Sequence, residues 1–206
     1  MNIAAPYTAI CPTLDSEVLI ALARTRKPMT GREIARLTGR KAHAGVQDVL
    51  TRLVEQGLVD RQEAGRAWLF SLNREHIAAP AVDVLASMRA ELLQRIRATV
   101  EVWEIKPLAA SLFGSFARAE GDTQSDIDLF LVRPQDVADE DARWRAQLND
   151  LADHIERWTG NQASIAEVSE RELDQLRTGG PPIVSELRRD ALFIYGAEIN
   201  DLLGMA

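Results

Sequence analysis

Two short apolar runs, Leu108 to Phe113 and Leu129 to Val132, bracket a segment that breaks the chain's regularity twice. The first run stops at Gly114-Ser115, and after a gap of ten residues the pair Asp126 and Asp128 flanks Ile127 at the mouth of the second run. The pattern predicts two strands with a turn and a carboxylate pair between them. Residues two apart on a strand point the same way, so both aspartates emerge on one face. There each disfavours the other's charge unless a cation lies between them. Such a pair is a seat for a hard metal, magnesium above all, which keeps several waters and takes its remaining oxygens from a substrate phosphate. If Phe116 to Ala119 begins a helix, the amides around Gly114-Ser115 lie at its N-terminus and can receive phosphates.

Composition sets wide bounds. With 206 residues, 46% of them hydrophobic and 27% charged, the chain can hold one large domain or two small ones. No stretch approaches the roughly 20 uncharged residues of a membrane helix, and the first thirty residues lack a leader pattern, so a cytoplasmic protein is expected. Cys11 is the single cysteine, and His43, His76 and His154 are far apart, which argues against a disulfide or a Cys/His metal site. The net charge of -7 is unevenly spread. Residues 1–80 hold eleven Lys or Arg against eight Asp or Glu, and residues 81–206 hold thirteen against twenty-three. Only the first part suits a polyanion; the acidic part can hold a nucleotide through metal ions.

In the basic part, after an irregular arm from Met1 to Pro12, Leu14, Val18, Leu19 and Leu22 recur at helical spacing to about Thr25. Thr30 with Glu33 forms a capping-box pattern before Ile34 and Leu37, and Thr38-Gly39 ends that second helix. Val46, Val49, Leu50, Leu53 and Val54 mark a third helix that stops at Gly57. A hairpin follows, Asp60 to Ala64 and Ala67 to Leu72 about a Gly65-Arg66 tip. Three helices and a hairpin are the layout of a winged helix-turn-helix. The wording TGREIARLTGRKAHAGVQDVLTRLVEQGLVDR resembles the DNA-binding domains of MarR-like and ArsR-like bacterial regulators. The resemblance implies DNA contacts from Arg40, Lys41, His43 and Gln47 at the start of helix three, and phosphate contacts from Arg61 and Arg66 on the wing. Winged helices also serve as docking modules, in which case these charges are a solvated face.

Beyond a connector at Asn73 to Pro80, Ala81, Leu85, Met88, Leu92, Ile96, Val100 and Trp103 fall at steps of three or four, predicting one helix roughly 36 Å long. Its stripe reads as core or as the seam of a homodimer. The domains expected are 1–78, a winged helix-turn-helix; 79–105, a connecting helix; and 106–206, an α/β (α+β) domain with a small mixed sheet flanked by helices. In the last, Trp144, Leu148, Leu151, Ile155 and Trp158 mark a helix ending at Gly160, with both tryptophans read as packing residues. A strand candidate runs Gln162 to Val168, a second capping box pairs Ser169 with Glu172, and Val184 to Ala191 is helical before the apolar Leu192 to Tyr195.

The stretch GSFARAEGDTQSDIDLFLV resembles the signature of the DNA polymerase beta-like nucleotidyltransferases and, more narrowly, of the minimal nucleotidyltransferases: Gly-Ser, a ten-residue gap, then Asp-x-Asp. The resemblance implies that Asp126 and Asp128 hold Mg²⁺ and that Gly114 and Ser115 bind the β and γ phosphates of ATP or another nucleoside triphosphate. An acceptor hydroxyl on a protein, an RNA or a small molecule then attacks the α phosphorus. Arg118 touches phosphate or pairs with Asp122. The family pattern also calls for a third carboxylate on a neighbouring strand. Here Ala163 or Ser164 stands where it is expected, and Glu167 is the nearest acid. If the register brings Glu167 to the pair it is catalytic; if not, it is a strand residue facing solvent. The expected protein is therefore a DNA-binding nucleotidyltransferase that moves a nucleoside monophosphate, AMP in the first instance. The other readings are a transcriptional regulator whose transferase-like domain senses nucleotide, and an antitoxin-like interaction protein.

Overall fold

The computed structural model describes residues 1–39, 43–179 and 182–204, with backbone alone at His43, Ala44 and Thr178. The chain divides into two compact units, Pro6–Arg89 and Met1–Ala5 with Ala90–Ala206.

The first unit is built from α1 (Leu14–Ala23), the two-residue β1 (Met29–Thr30), α2 (Gly31–Leu37), α3 (His43–Glu55), β2 (Val59–Ala64) and β3 (Ala67–Leu72). The Thr30–Glu33 capping box is present in both directions: Thr30 Oγ1 accepts from the Glu33 amide, and the Glu33 carboxylate accepts from the Thr30 amide at 2.7 Å. Val18, Leu22, Ile34, Leu50, Leu53 and Phe70 bury themselves together in one core. β2 and β3 pair in the expected hairpin, Val59 opposite Leu72 through Ala64 opposite Ala67, and β1 adds a short antiparallel edge on β3. Helix α4 (Ala79–Glu101) starts in this unit, where Val82 is buried, and its Leu92, Ile96 and Val100 belong to the core of the other. The stripe is core at those positions, while Ala81 is exposed and Leu85 and Met88 are only partly buried.

The second unit is a four-stranded mixed sheet in the order β6-β5-β4-β7, made of β4 (Ala109–Phe113), β5 (Ile127–Arg133), β6 (Ala163–Ser169) and β7 (Leu192–Gly196). β5 runs antiparallel to β4 and parallel to β6, and β7 is antiparallel to β4. Alternation decides what each face meets. Ile127, Leu129 and Leu131 point into a core with Trp144, Leu148, Leu151 and Ile155 of α6 (Ala142–Thr159), whereas Phe130 and Val132 meet Leu173 of α7 (Glu170–Gly179) and Val184 and Leu187 of α8 (Pro182–Asp190). Trp144 is fully buried and meets Trp103 edge to face at 5.8 Å, the packing role expected of it. Trp158 stacks on His154. The second capping box is present, with the Ser169 amide and hydroxyl both on the Glu172 carboxylate at 2.7 Å. The arm is anchored, since Ile3 is fully buried in the α6-side core.

Candidate active site

Asp128 is the second residue of β5 and lies opposite Phe113, the last residue of β4. Next after Phe113, Gly114 adopts φ 70°, a left-handed conformation, and a Cβ built there would come within 2.3 Å of Asp128 Oδ2. Only glycine satisfies both demands. The missing side chain is the space the carboxylate occupies. α5 begins at Gly114 itself and is a single turn, Gly114–Ala117, shorter and two residues earlier than the helix expected from Phe116. The loop after it folds back over Ser115. The Glu120 amide donates to the Ser115 carbonyl at 2.9 Å, and Gly121, at φ 95°, passes so close that a Cβ would stand 3.1 Å from Ser115 Oγ.

Two devices fix the loop that delivers Asp126. Asp122 accepts from the Gln124 amide at 2.9 Å and from Ser125 Oγ at 3.2 Å, and these hydrogen bonds hold its carboxyl below the usual carboxylate range. From the other side, Asn161, only 3% exposed, donates to the carbonyls of Asp122 and Ser125. Asp126 then emerges exposed and Asp128 half-buried. Asp128 alternates with Ile127 and Leu129 and sits in line with Phe130, and Asp126, just before β5, is near enough for its charge to act on it. Burial first, then the charges of Asp126 and Glu186, push the Asp128 carboxyl up, while Arg118 opposes them. A carboxylate disfavoured in this way is relieved by a cation.

The donor set fits a hard ion that is incompletely coordinated by protein. Among the described residues no group of three or more His, Cys, Asp or Glu could hold a metal by itself. Asp126 and Asp128 supply two carboxylates, which suits an ion that completes its shell with water and ligand oxygens. Glu186, on α8, adds negative charge to the same neighbourhood and was not singled out from the sequence. No local pattern marks it, since only the packing of α8 against β4 and α5 brings it there.

Arg118 is engaged by partners other than Asp122. Its guanidinium binds Glu120 at 2.8 Å and Asp190, at the end of α8, at 2.7 Å. These two carboxylates raise its pKa. The Asp190 side chain is 6% exposed, and hydrogen bonds from Arg189 and Arg118 hold its carboxyl down to about 2.

The structure does not bring Glu167 to the aspartate pair. Parallel pairing sets Asp128 beside Ser164 and Leu131 beside Glu167. Three residues separate the two positions, roughly 10 Å along the strand, and an odd separation puts Glu167 on the opposite face. There it accepts from Trp144 Nε1 and pairs with Arg145 at 3.1 Å and Arg133 at 3.6 Å, the Glu167 side chain 12% exposed and that of Arg133 9%. Ser164 occupies the position beside Asp128, so a hydroxyl stands where the family pattern calls for an acid.

In the first unit, Gln47 and Arg66 come together. With Thr30, Gly31, Arg32, Ala67, Trp68 and Phe70 they line a cleft of about 490 Å³ between the start of α2, α3 and the wing. Arg61 lies over the Trp68 ring at 4.3 Å. Arg40, Lys41 and the side chain of His43 lie outside the described residues. Arg32 and Trp68, which line this cleft, were not singled out from the sequence. The signal was present for Arg32, second residue of a capped helix, and for Trp68, a large aromatic near the wing tip that stays 45% exposed.

Comparison with known proteins matches each unit separately. Residues 13–74 match the family model described as sugar-specific transcriptional regulator TrmB, and residues 93–175 match the model described as nucleotidyltransferase domain. No curated protein matches the chain. Two solved structures are similar to part of it, each with a TM-score of 0.34, too low to bear on the fold. The crystal structure of RV1404 from Mycobacterium tuberculosis is 18% identical over 47% of this chain and 68% of its own. A toxin-antitoxin crystal structure with AMP-PNP is 20% identical over 54% of this chain and 78% of its own. The protein thus carries a TrmB-type winged-helix DNA-binding domain at residues 13–74 and a nucleotidyltransferase domain at residues 93–175.

Proposed function

We propose that the protein binds DNA through its winged helix and uses Asp126, Asp128, Gly114 and Ser115 to bind a magnesium nucleoside triphosphate, ATP in the first instance, whose nucleoside monophosphate it transfers to an acceptor hydroxyl. The observation that carries this reading is the fit of the Asp128 carboxylate into the space left by the missing Gly114 side chain. It supports reading the Gly114-Ser115 turn and Asp128 as parts of one site. Asp126 and Asp128 would hold the metal, which when bound neutralises charge on the triphosphate and orients it. Gly114 and Ser115 present the turn to the phosphates, and Arg118, tied to Glu120 and Asp190, contributes a positive field at Asp128. Incubation with α-labelled ATP and Mg²⁺ in cell lysate tests transfer. Label should appear on an acceptor with the native chain and vanish with Asp126→Ala/Asp128→Ala; no label under any condition refutes the enzyme.

A second reading draws on Ser164. A site with two carboxylates and a hydroxyl where a third acid is expected suits binding better than turnover, which favours a regulator that senses nucleotide and adjusts its DNA affinity. It predicts that Mg²⁺-ATP shifts the affinity of the full chain for the DNA upstream of its own gene without consuming the nucleotide. For DNA binding itself, changing Arg66 to Gln should weaken binding and lower the slope of log affinity against log salt by about one. An unchanged slope removes Arg66 from the phosphate contacts.

A further inference from the structure

The loop that delivers Asp126, from Glu120 to Ser125, has no hydrophobic side chain to fix it, so its hydrogen bonds decide where it lies. Contacts reach it from residues distant in the chain. Asn161 donates to the carbonyls of Asp122 at 3.4 Å and Ser125 at 2.9 Å, and the Ala4 amide donates to the Gly121 carbonyl at 3.3 Å. Gly121 is the narrow point, because a Cβ there would stand 2.9 Å from Ser125 Oγ and 3.1 Å from Ser115 Oγ. The Gly114-Ser115 turn, the loop and the N-terminal arm therefore meet around one residue. The arm is fastened on both sides of Ile3, which is fully buried in the same core as Ile127 and Ile155. Before it, the Met1 nitrogen donates to the Thr159 carbonyl and to Asn161 Oδ1, both at 2.7 Å. After it comes the Ala4 amide on Gly121. Asn161, 3% exposed, thus uses its side-chain oxygen on the arm and its side-chain nitrogen on the loop, which fixes its orientation.

We propose that Ile3 and Asn161 are positioning residues of the metal-nucleotide site: the arm Met1–Ala5 clamps the Glu120 to Ser125 loop through them, and the affinity for a magnesium nucleotide depends on that clamp. This rests on the nucleotidyltransferase reading above. Asp126 is exposed, so its place is set by the backbone that carries it rather than by packing of its side chain. A metal ligand has to be held within about 0.5 Å of its working position. The backbone before Asp126 is held by Asn161 at Ser125, and Asn161 in turn by the arm. The clamp lies outside both family matches, which cover residues 13–74 and 93–175. Residues Met1–Ala5 nevertheless belong to the compact unit that holds the aspartates, although Pro6, next in the chain, opens the other unit. A segment distant in sequence from the acidic pair thus completes its support.

Variants of the full chain, compared well below their melting temperatures, test this. Ile3→Ala and Asn161→Ala loosen the clamp, and Ile3→Val keeps most of the Ile3 packing. Leu148→Ala truncates a residue of the same core on α6, about three turns before Thr159, and is the control for lost stability alone. Hydrogen exchange of the metal-free chain reads the loop directly. Its amides should exchange about fivefold faster in Ile3→Ala and Asn161→Ala, the effect of one lost hydrogen bond, and at the native rate in Leu148→Ala. Titration calorimetry with Mg²⁺-ATP reads the site. Ile3→Ala and Asn161→Ala should bind about tenfold more weakly, the effect of disturbing a group that orients a metal ligand, while Ile3→Val and Leu148→Ala keep the native affinity. Unchanged loop exchange in Ile3→Ala overturns the clamp. A loosened loop with native Mg²⁺-ATP affinity, or an equal loss of affinity in Leu148→Ala, overturns the positioning role. A native chain that binds no Mg²⁺-ATP removes the nucleotide reading and the positioning role with it, an outcome that loop exchange in the metal-free chain keeps separate from failure of the clamp.

Discussion

Replacing Gly114 with alanine should damage the site in two separable ways. The first is conformational. At φ 70° an L side chain costs about 1–2 kcal/mol relative to glycine. The second is steric, because the new Cβ would stand 2.3 Å from Asp128 Oδ2 and the carboxylate must turn out of its position. Driving a side chain off its rotamer costs about 0.5–1.5 kcal/mol. Together these give roughly 1.5–3.5 kcal/mol, or about 3–14 °C in melting temperature for a chain of this size. Gly160→Ala supplies the reference for stability. It lies in the same unit at φ 72°, and its Cβ would meet nothing nearer than 3.9 Å, so it carries the conformational cost alone. Urea denaturation of both variants isolates the steric part, and isothermal titration with Mg²⁺-ATP should show Gly114→Ala weakened about 10–100-fold, as when groups that orient a metal ligand are disturbed. If Gly114→Ala matches Gly160→Ala in stability and binds Mg²⁺-ATP like the native chain, the coupling of the turn to Asp128 is refuted.

Three other outcomes follow from the electrostatics. Because burial and the neighbouring acids raise the Asp128 carboxyl, its ionised form weakens the metal-free fold at neutral pH; Asp128→Asn should melt higher than the native chain at pH 7, converge with it as pH falls through the carboxyl's raised pKa, and lose Mg²⁺-ATP binding. Asp190 is the opposite case: its carboxyl is held down to about 2, so the stability it adds is present above the ordinary carboxylate range and is lost as pH falls from about 4 toward 2. Asp190→Asn should flatten the urea midpoint over that interval, and an unaltered pH profile would count against the Arg189 and Arg118 contacts. Glu167→Ala removes the anion from Arg133 and Arg145 and the acceptor from Trp144, which should cost about 3 kcal/mol by leaving a buried charge uncompensated, while Mg²⁺-ATP affinity of the folded chain stays at the native value. A lost nucleotide affinity without lost stability would restore Glu167 to the site.

The features legible in the sequence are those with local causes. The apolar runs, the glycine at the turn, both capping boxes and the wing hairpin depend on residues within a few positions of one another. What the sequence could not show depends on pairing across distance. The position of Glu167 is decided by the parallel register of β5 and β6, a property of two strands about thirty residues apart that no spacing rule reads. Arg118 finds Asp190 across 72 residues because α8 packs on α5 and β4. Ile3 was missed for the same reason: a lone apolar residue in an irregular arm has no period, and only the assembled core reveals its place.

The β5–β6 register also limits how this site can change. To carry Glu167 to the aspartates, β6 would have to slide three residues past β5, and an odd slide exchanges the two faces of a strand. Ala166 and Val168, now packed against the α7–α8 side, would trade places with the residues facing α6. No ligand-driven adjustment of the sheet can make that exchange gradually. A β6 side chain beside Asp128 can change its chemistry through a substitution at Ser164, which sits there with the backbone already in place. The register thus fixes which β6 side chain neighbours Asp128, and no motion of the strand exchanges it for another.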